Sequence, residues 1–205
     1  MKSDEQTPVL LNSIVCSEAP DFTADAVYPD GAIRSFTLRE QRDKYLILLF
    51  YPLDFSYLCP AELLAFNKQI EEFRQRNCEL AAISVDSVYT HIAFINRSPA
   101  EGGIGHLSFP LISDLNKKIS RNYGVLLNDS LSLRGLFLLD KQGIVRHCTI
   151  NDTSYARSIH ETLRMIDAVQ FHEKYKDVCP VDWSPGEESI EPSQNGLKNY
   201  IDKHF

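Results

Sequence analysis

The chain has 205 residues, 43% of them hydrophobic and 24% charged, with a formal net charge of −7. That length and balance fit one globular domain, with room for an extension and enough apolar side chain to build a core. Net acidity without a basic cluster gives phosphates nothing to bind, which argues against a nucleic-acid partner.

The first twenty residues hold no apolar run longer than three, as at Val9 to Leu11, too short for a secretory signal. No run of 18 apolar residues follows, so no membrane contact is expected and the protein is read as cytoplasmic. Residues 21–40 (DFTADAVYPDGAIRSFTLRE) read as a hairpin turning at Pro29-Asp30-Gly31. The unbroken apolar run YLILLFY (45–51) suits a central strand covered on both faces. Leu63, Phe66, Ile70 and Phe73 make one helical stripe over residues 60–76. ELAAISV (79–85) is a strand, residues 87–96 a short helix and 97–108 a loop. FPLIS leads into a helix through NKKISRNYGV that closes at Gly124. Residues 135–150 are a second hairpin with its turn at Asp140-Lys141-Gln142-Gly143, and residues 155–170 form the last core helix. Beyond Cys179 the chain becomes rich in Pro, Gly, Ser and acid, as an extended arm would be. We divide it into a domain over residues 1–170 and an arm over 171–205. Strand–helix alternation with two hairpins indicates an α/β fold, a mixed central sheet with helices on both faces.

The cysteines are Cys16, Cys59, Cys78, Cys148 and Cys179: an odd number, widely spaced, without a CxxC. This speaks against a disulfide framework. No CxxC or HxxxH offers zinc two ligands from one turn, and the adjacent His147 and Cys148 point to opposite sides of a strand. No metal and no cofactor are expected.

Cys59 stands where the apolar strand meets the helix, directly before Pro60. Proline suits the first helical position, which would make Cys59 the N-cap, with its sulfur near orphan N–H groups and the positive end of the helix dipole. Such a place favours a thiolate. Ser56 lies one turn upstream, and Glu62 sits where a capping-box acid would. A buried cysteine packing as a small hydrophobe is the alternative; the position favours the nucleophile.

FYPLDFSYLCPAE resembles the active-site segment of the typical 2-Cys peroxiredoxins, the group that includes the bacterial alkyl hydroperoxide reductase C component. The family's Pxxx(T/S)xxC pattern stands here as Pro52, Ser56 and Cys59. SVDSVYTHIAFIN, GGIG, FPLISD, YGVL, SLRGLFLLD, IVRHCTIND and DVCPVDWSPG follow in the family's order, so the resemblance spans about residues 10–190. It implies a thioredoxin-like fold and a thiol peroxidase acting on hydrogen peroxide and small organic hydroperoxides. Cys59 is then the peroxidatic cysteine, Ser56 a hydroxyl for the peroxide, Pro52 the pocket's shield and Arg134 the arginine that stabilises thiolate and peroxide. Glu62 and Arg157 support Arg134, although from sequence alone both arginines would be solvated surface charges. Cys179 is the resolving cysteine, which implies a disulfide with Cys59 of the other subunit. That disulfide would be recycled by a thioredoxin-like or other dithiol reductant, in a homodimer that assembles into a decamer.

Three positions depart from the family pattern. Ala61 stands where a threonine is usual, Phe94 where a tryptophan is frequent, and Ile201 follows Tyr200 where sensitive members carry Tyr-Phe. With Gly102-Gly103-Ile104-Gly105 retained, intermediate sensitivity to over-oxidation is expected. Cys16, Cys78 and Cys148 are read as packing residues. The alternative function is a redox-regulated holdase or a peroxide-signalling scaffold, which would not need all of Pro52, Ser56, Cys59, Arg134 and Cys179.

Overall fold

The computed structural model describes residues 13–205. In chain order the elements are β1 (Thr23–Val27), β2 (Ile33–Thr37), β3 (Tyr45–Phe50), α1 (Cys59–Lys68), α2 (Ile70–Gln75), β4 (Cys78–Ser84) and α3 (Val88–Asn96). Then follow β5 (Leu111–Ser113), α4 (Lys118–Asn122), β6 (Leu126–Leu127), β7 (Leu131–Ser132), β8 (Arg134–Leu139), β9 (Val145–Asn151), α5 (Ile159–Tyr175) and α6 (Gln194–His204).

Seven strands make one sheet in the order β2-β1-β5-β4-β3-β8-β9, while β6 and β7 pair apart from it. β3 runs parallel to β4 and antiparallel to β8, with Leu48 opposite both Ala81 and Phe137. Every residue of β3 is buried, as its continuous apolar run requires when both faces are covered. Side chains alternate along the strand. Tyr45, Ile47 and Leu49 enter one cluster with Leu63, Phe66, Phe73 and Ile166 from α1, α2 and α5. Leu46, Leu48 and Phe50 enter the other with Ile119 and Tyr123 around α4. Burying one such side chain stabilises the fold by roughly 1.5–3 kcal/mol.

Both hairpins turn where their residues demand it. Gly31 has φ 81° and Gly143 φ 79°. Asp30 accepts from the Ala32 N–H at 3.1 Å, and Asp140 accepts from the Gln142 and Ile144 N–H groups at 2.9 Å each. Such Asx contacts fix a turn locally.

Some boundaries differ from the sequence reading. The stripe over residues 60–76 is buried as expected, but the helix breaks at Gln69 into α1 and α2. The four-residue step from Phe66 to Ile70 keeps both pieces on the core through that irregular turn. The last core helix begins at Ile159, where Ser158 Oγ accepts from the Glu161 N–H at 3.1 Å. It continues to Tyr175, across the 170/171 division. The arm carries its own helix, α6, capped by Ser193 Oγ on the Gly196 N–H at 2.9 Å. Cys78 is buried and Cys148 half-buried, but Cys16 is exposed, which removes the packing reading for that residue.

Candidate active site

The end of β3 passes through a short loop into α1, and this joint sets the site. Cys59 is wholly buried and is the first helical residue, with Leu58 as N-cap. The expected cap position is therefore shifted by one, and Pro60 takes the second helical place, which also needs no N–H donor. Pro52 is buried in the loop, and the Ser56 hydroxyl is buried without a hydrogen-bond partner. Such an orphan is uncommon in native proteins.

Arg134 opens β8 and is buried, contrary to the surface charge that its residue type alone suggests. Its Nη1 lies 3.5 Å from Cys59 Sγ and 2.8 Å from Glu62 Oε2, while Nε donates to the Thr153 carbonyl at 2.7 Å. Arg157, just before α5, is buried as well. Its Nε and Nη2 donate to Glu62 Oε1 and Oε2 at 2.9 and 2.6 Å, and its backbone N–H reaches Oε1 at 2.8 Å. Its Nη1 donates to the Phe50 and Gly135 carbonyls at 2.6 and 2.5 Å. The β3–β8 pairing stops at Leu49 and Leu136, so this guanidinium takes over where the ladder ends.

Glu62 is thus no capping-box acid, because its carboxylate is spent on the two arginines. Burial pushes its carboxyl upward, but the hydrogen bonds and charge of Arg157, with Arg134, outweigh that and leave it below its ordinary value.

Cys179 is not beside Cys59 in this chain. Its sulfur rests 3.7 Å from the Ala168 carbonyl on α5. Arg157, which grips the first turn of α1, precedes Ile159, and Ala168 lies roughly 14 Å further along the α5 axis at about 1.5 Å per residue. Burial pushes the Cys179 thiol up, with Arg164 acting against it. Near it Trp183 is buried against Phe171, ring centroids 4.6 Å apart. The glycine loop packs tightly: a Cβ on Gly103 would lie 2.1 Å from the Arg97 carbonyl oxygen. Phe94 is buried and stacks obliquely on Phe55 at 4.8 Å, so the apolar replacement fills its place.

Residues 15–148 match the AhpC/TSA family, and residues 168–203 match the C-terminal domain of 1-Cys peroxiredoxin. The chain belongs to the AhpC/TSA family of peroxiredoxins. It is 45% identical to peroxiredoxin-2 of Mus musculus over 194 residues, covering 94% of this chain and 98% of that relative. It is 46% identical to the thioredoxin peroxidase of Echinococcus granulosus over 192 residues, covering 93% and 99%. The reduced 2-Cys peroxiredoxin of Plasmodium vivax superposes with a TM-score of 0.92 at 45% identity, covering 93% of this chain and all of that one. This peroxiredoxin has the thioredoxin-like α/β fold anticipated from sequence and is a thiol peroxidase, an oxidoreductase. The main-chain carbonyls of Phe50, Gly135 and Thr153 went unanticipated. Carbonyls carry no residue-type signal, and only a known fold could have pointed to them.

Proposed function

We propose that Cys59 is the peroxidatic nucleophile, held by Arg134 and served by Ser56, and that Cys179 resolves it. One observation carries this reading. Two buried guanidiniums face one buried carboxylate, leaving an unbalanced positive charge against Cys59 Sγ. A thiolate there supplies the second anion, and a buried cation without one is costly. The thiolate sulfur attacks the nearer oxygen of a hydroperoxide. An S–O bond forms, the O–O bond breaks, and the alkoxide or hydroxide leaves as alcohol or water after taking a proton. The Arg134 guanidinium donates to the oxygens as charge develops on them, the Ser56 hydroxyl is free to bond the substrate, and Pro52 keeps bulk water out.

The Cys59 sulfenic acid then condenses with the Cys179 thiol, forming the disulfide and releasing water. A bridge needs Cα atoms within about 7 Å. Within one chain Cys59 sits on α1 beside the start of α5, where Arg157 bonds Glu62, whereas Cys179 rests on Ala168 further along that helix, which supports a partner subunit as the source of Cys179 and a homodimer as the working unit. β9 sits at the sheet edge, and past Val145, which exchanges hydrogen bonds with Cys16 and Ser17, no further strand flanks it among the described residues, a surface on which a second copy can pair. Leu53, Phe55, Tyr89 and Leu115 are exposed elsewhere and suit further contacts in a decamer. A thioredoxin-like dithiol would reduce the disulfide by exchange, and a cytoplasmic setting fits that supply of reductant. No observation favours the holdase or scaffold alternative.

Stopped-flow mixing with hydrogen peroxide tests the assignment. The single tryptophan, Trp183, lies four residues beyond Cys179, so its fluorescence should change as the disulfide forms. Cys59→Ser should abolish peroxide consumption; consumption at the parent rate would refute the nucleophile.

A further inference from the structure

The loop that carries Pro52 and Ser56 is anchored by three buried polar side chains that the peroxide chemistry does not use. The Tyr51 hydroxyl donates to Asp54 Oδ1 at 2.7 Å, and Asp54 Oδ2 meets His91 Nδ1 at 2.7 Å. His91 Nε2 lies 3.3 Å from the Ile112 carbonyl oxygen. The Asp54 and His91 side chains are wholly buried, and so is Tyr51. The Asp54 N–H donates to Asp86 Oδ2 at 2.9 Å, which also accepts from Ser84 Oγ at 2.7 Å. The loop is therefore tied at one residue to the end of β3, the turn after β4, the α3 helix and strand β5.

Burying a carboxyl beside an imidazole is a poor way to add stability, since apolar side chains of similar volume often do as well or better. A fully satisfied polar network does fix one geometry. Asp54 stands two residues from Pro52 and two from Ser56. Between Asp54 and Ser56, Phe55 adopts φ 57°, a left-handed backbone that is unfavourable for a bulky side chain. Its ring is held against Phe94. Ser56, next along, keeps its hydroxyl buried and unpartnered. Both features are unfavourable on their own, a left-handed backbone at Phe55 and an unsatisfied hydroxyl at Ser56, and need a loop that is held in place.

We propose that Tyr51, Asp54 and His91 are positioning residues for hydroperoxide binding. They hold the loop in its left-handed turn so that the Ser56 hydroxyl stays buried and available to the substrate oxygen at Cys59. The inference rests on the Ser56 role proposed above. Arg134, Glu62 and Arg157 set one side of the site; this second network sets the other.

The test compares two reactions of the reduced full-length protein at Cys59. Reaction with hydrogen peroxide uses the Ser56 hydroxyl, whereas alkylation by iodoacetamide, read on the Cys59 peptide by mass spectrometry, uses only the thiolate. Tyr51→Phe removes one hydroxyl. It should slow the peroxide reaction about fivefold, the scale of one misplaced hydrogen bond, and leave alkylation within about twofold. Asp54→Asn should act in the same direction and more strongly. Tyr123→Phe is the matched control, since Tyr123 is buried too and its hydroxyl donates to the Pro20 carbonyl at 3.0 Å, away from the loop. It should lower the melting temperature without changing the ratio of the two rates. In a Ser56→Ala background, Tyr51→Phe should slow the peroxide reaction no further. Equal slowing of both reactions by Tyr51→Phe, or a full fivefold effect that persists without Ser56, would overturn the inference. So would a slow Ser56→Ala variant beside a Tyr51→Phe variant at the parent rate. Ser56→Ala at the parent rate would instead remove the Ser56 role, and this inference with it.

Discussion

Replacing Glu62 by glutamine should test the charge arrangement most directly, because it keeps the shape and removes the charge. The carboxylate accepts four hydrogen bonds, one from Arg134 and three from Arg157. A glutamine offers one oxygen and turns an NH2 group toward guanidinium donors, so two buried cations lose their counter-charge. Removing one partner of a buried pair typically costs about 3–5 kcal/mol. At about 2–4 °C per kcal/mol for a chain of this size, the melting temperature should fall by about 6–20 °C. Arg134 would lose its charged partner and keep the Thr153 carbonyl and the longer contact to Cys59 Sγ, and displacement from Cys59 on the order of 1 Å can lower a rate about 100-fold. The pH dependence follows in sign. Glu62 lies below its ordinary value of 4.5 when folded, so its stabilising contribution is complete above that pH. It is lost as pH falls through the lower, folded value. Calorimetric melts at a series of pH values, together with stopped-flow peroxide kinetics, would measure both effects. A Glu62→Gln protein with the parent's melting temperature and peroxide rate would refute the reasoning.

Oxidised protein should migrate on a denaturing gel as a reducible dimer linked between Cys59 and Cys179; an oxidised monomer band would point to an intrachain bridge. Ile201 is exposed on α6, and Ile201→Phe completes the Tyr-Phe pattern that the family resemblance ties to slower opening of α1. That variant should accumulate Cys59 sulfinic acid at lower peroxide, as read by mass spectrometry; inactivation no sooner than the parent would defeat the packing argument. Burial drives the Cys78 thiol far up, so alkylation at pH 8 should label exposed Cys16 and spare Cys78 in the folded protein. Cys78 labelled as fast as Cys16 would contradict the buried placement.

Strand β3, both hairpins and the apolar stripe of α1 and α2 were legible because each rests on a repeated or local signal: a continuous apolar run, a turn glycine, a period. The joint at Cys59 was legible through Pro60, although the helix starts one residue earlier than proline alone indicates. Arg134 and Arg157 were not legible from physics, since a buried arginine is a single position with no period to betray it. Only the motif around each pointed inward. The break at Gln69 and the two-residue strands β6 and β7 carry signals too short to rise above their neighbours. Cys16 shows the converse failure: cysteine's usual burial said nothing about a residue at φ 68° on the surface.

Glu62 belongs to the same first turn of α1 as Cys59, and this makes the site an interlock. On the proposed roles of Cys59 and Cys179, any unwinding that carries Cys59 outward also pulls on the residue that four hydrogen bonds secure to Arg134 and Arg157. A molecule engaged in resolution has therefore dismantled its own peroxide site and cannot take a second oxidant while it is open. A molecule still closed around its sulfenic acid remains armed against, and vulnerable to, the next peroxide. On that proposed chemistry the grip on Glu62 would act as a timer, dividing each oxidised molecule between recovery and over-oxidation.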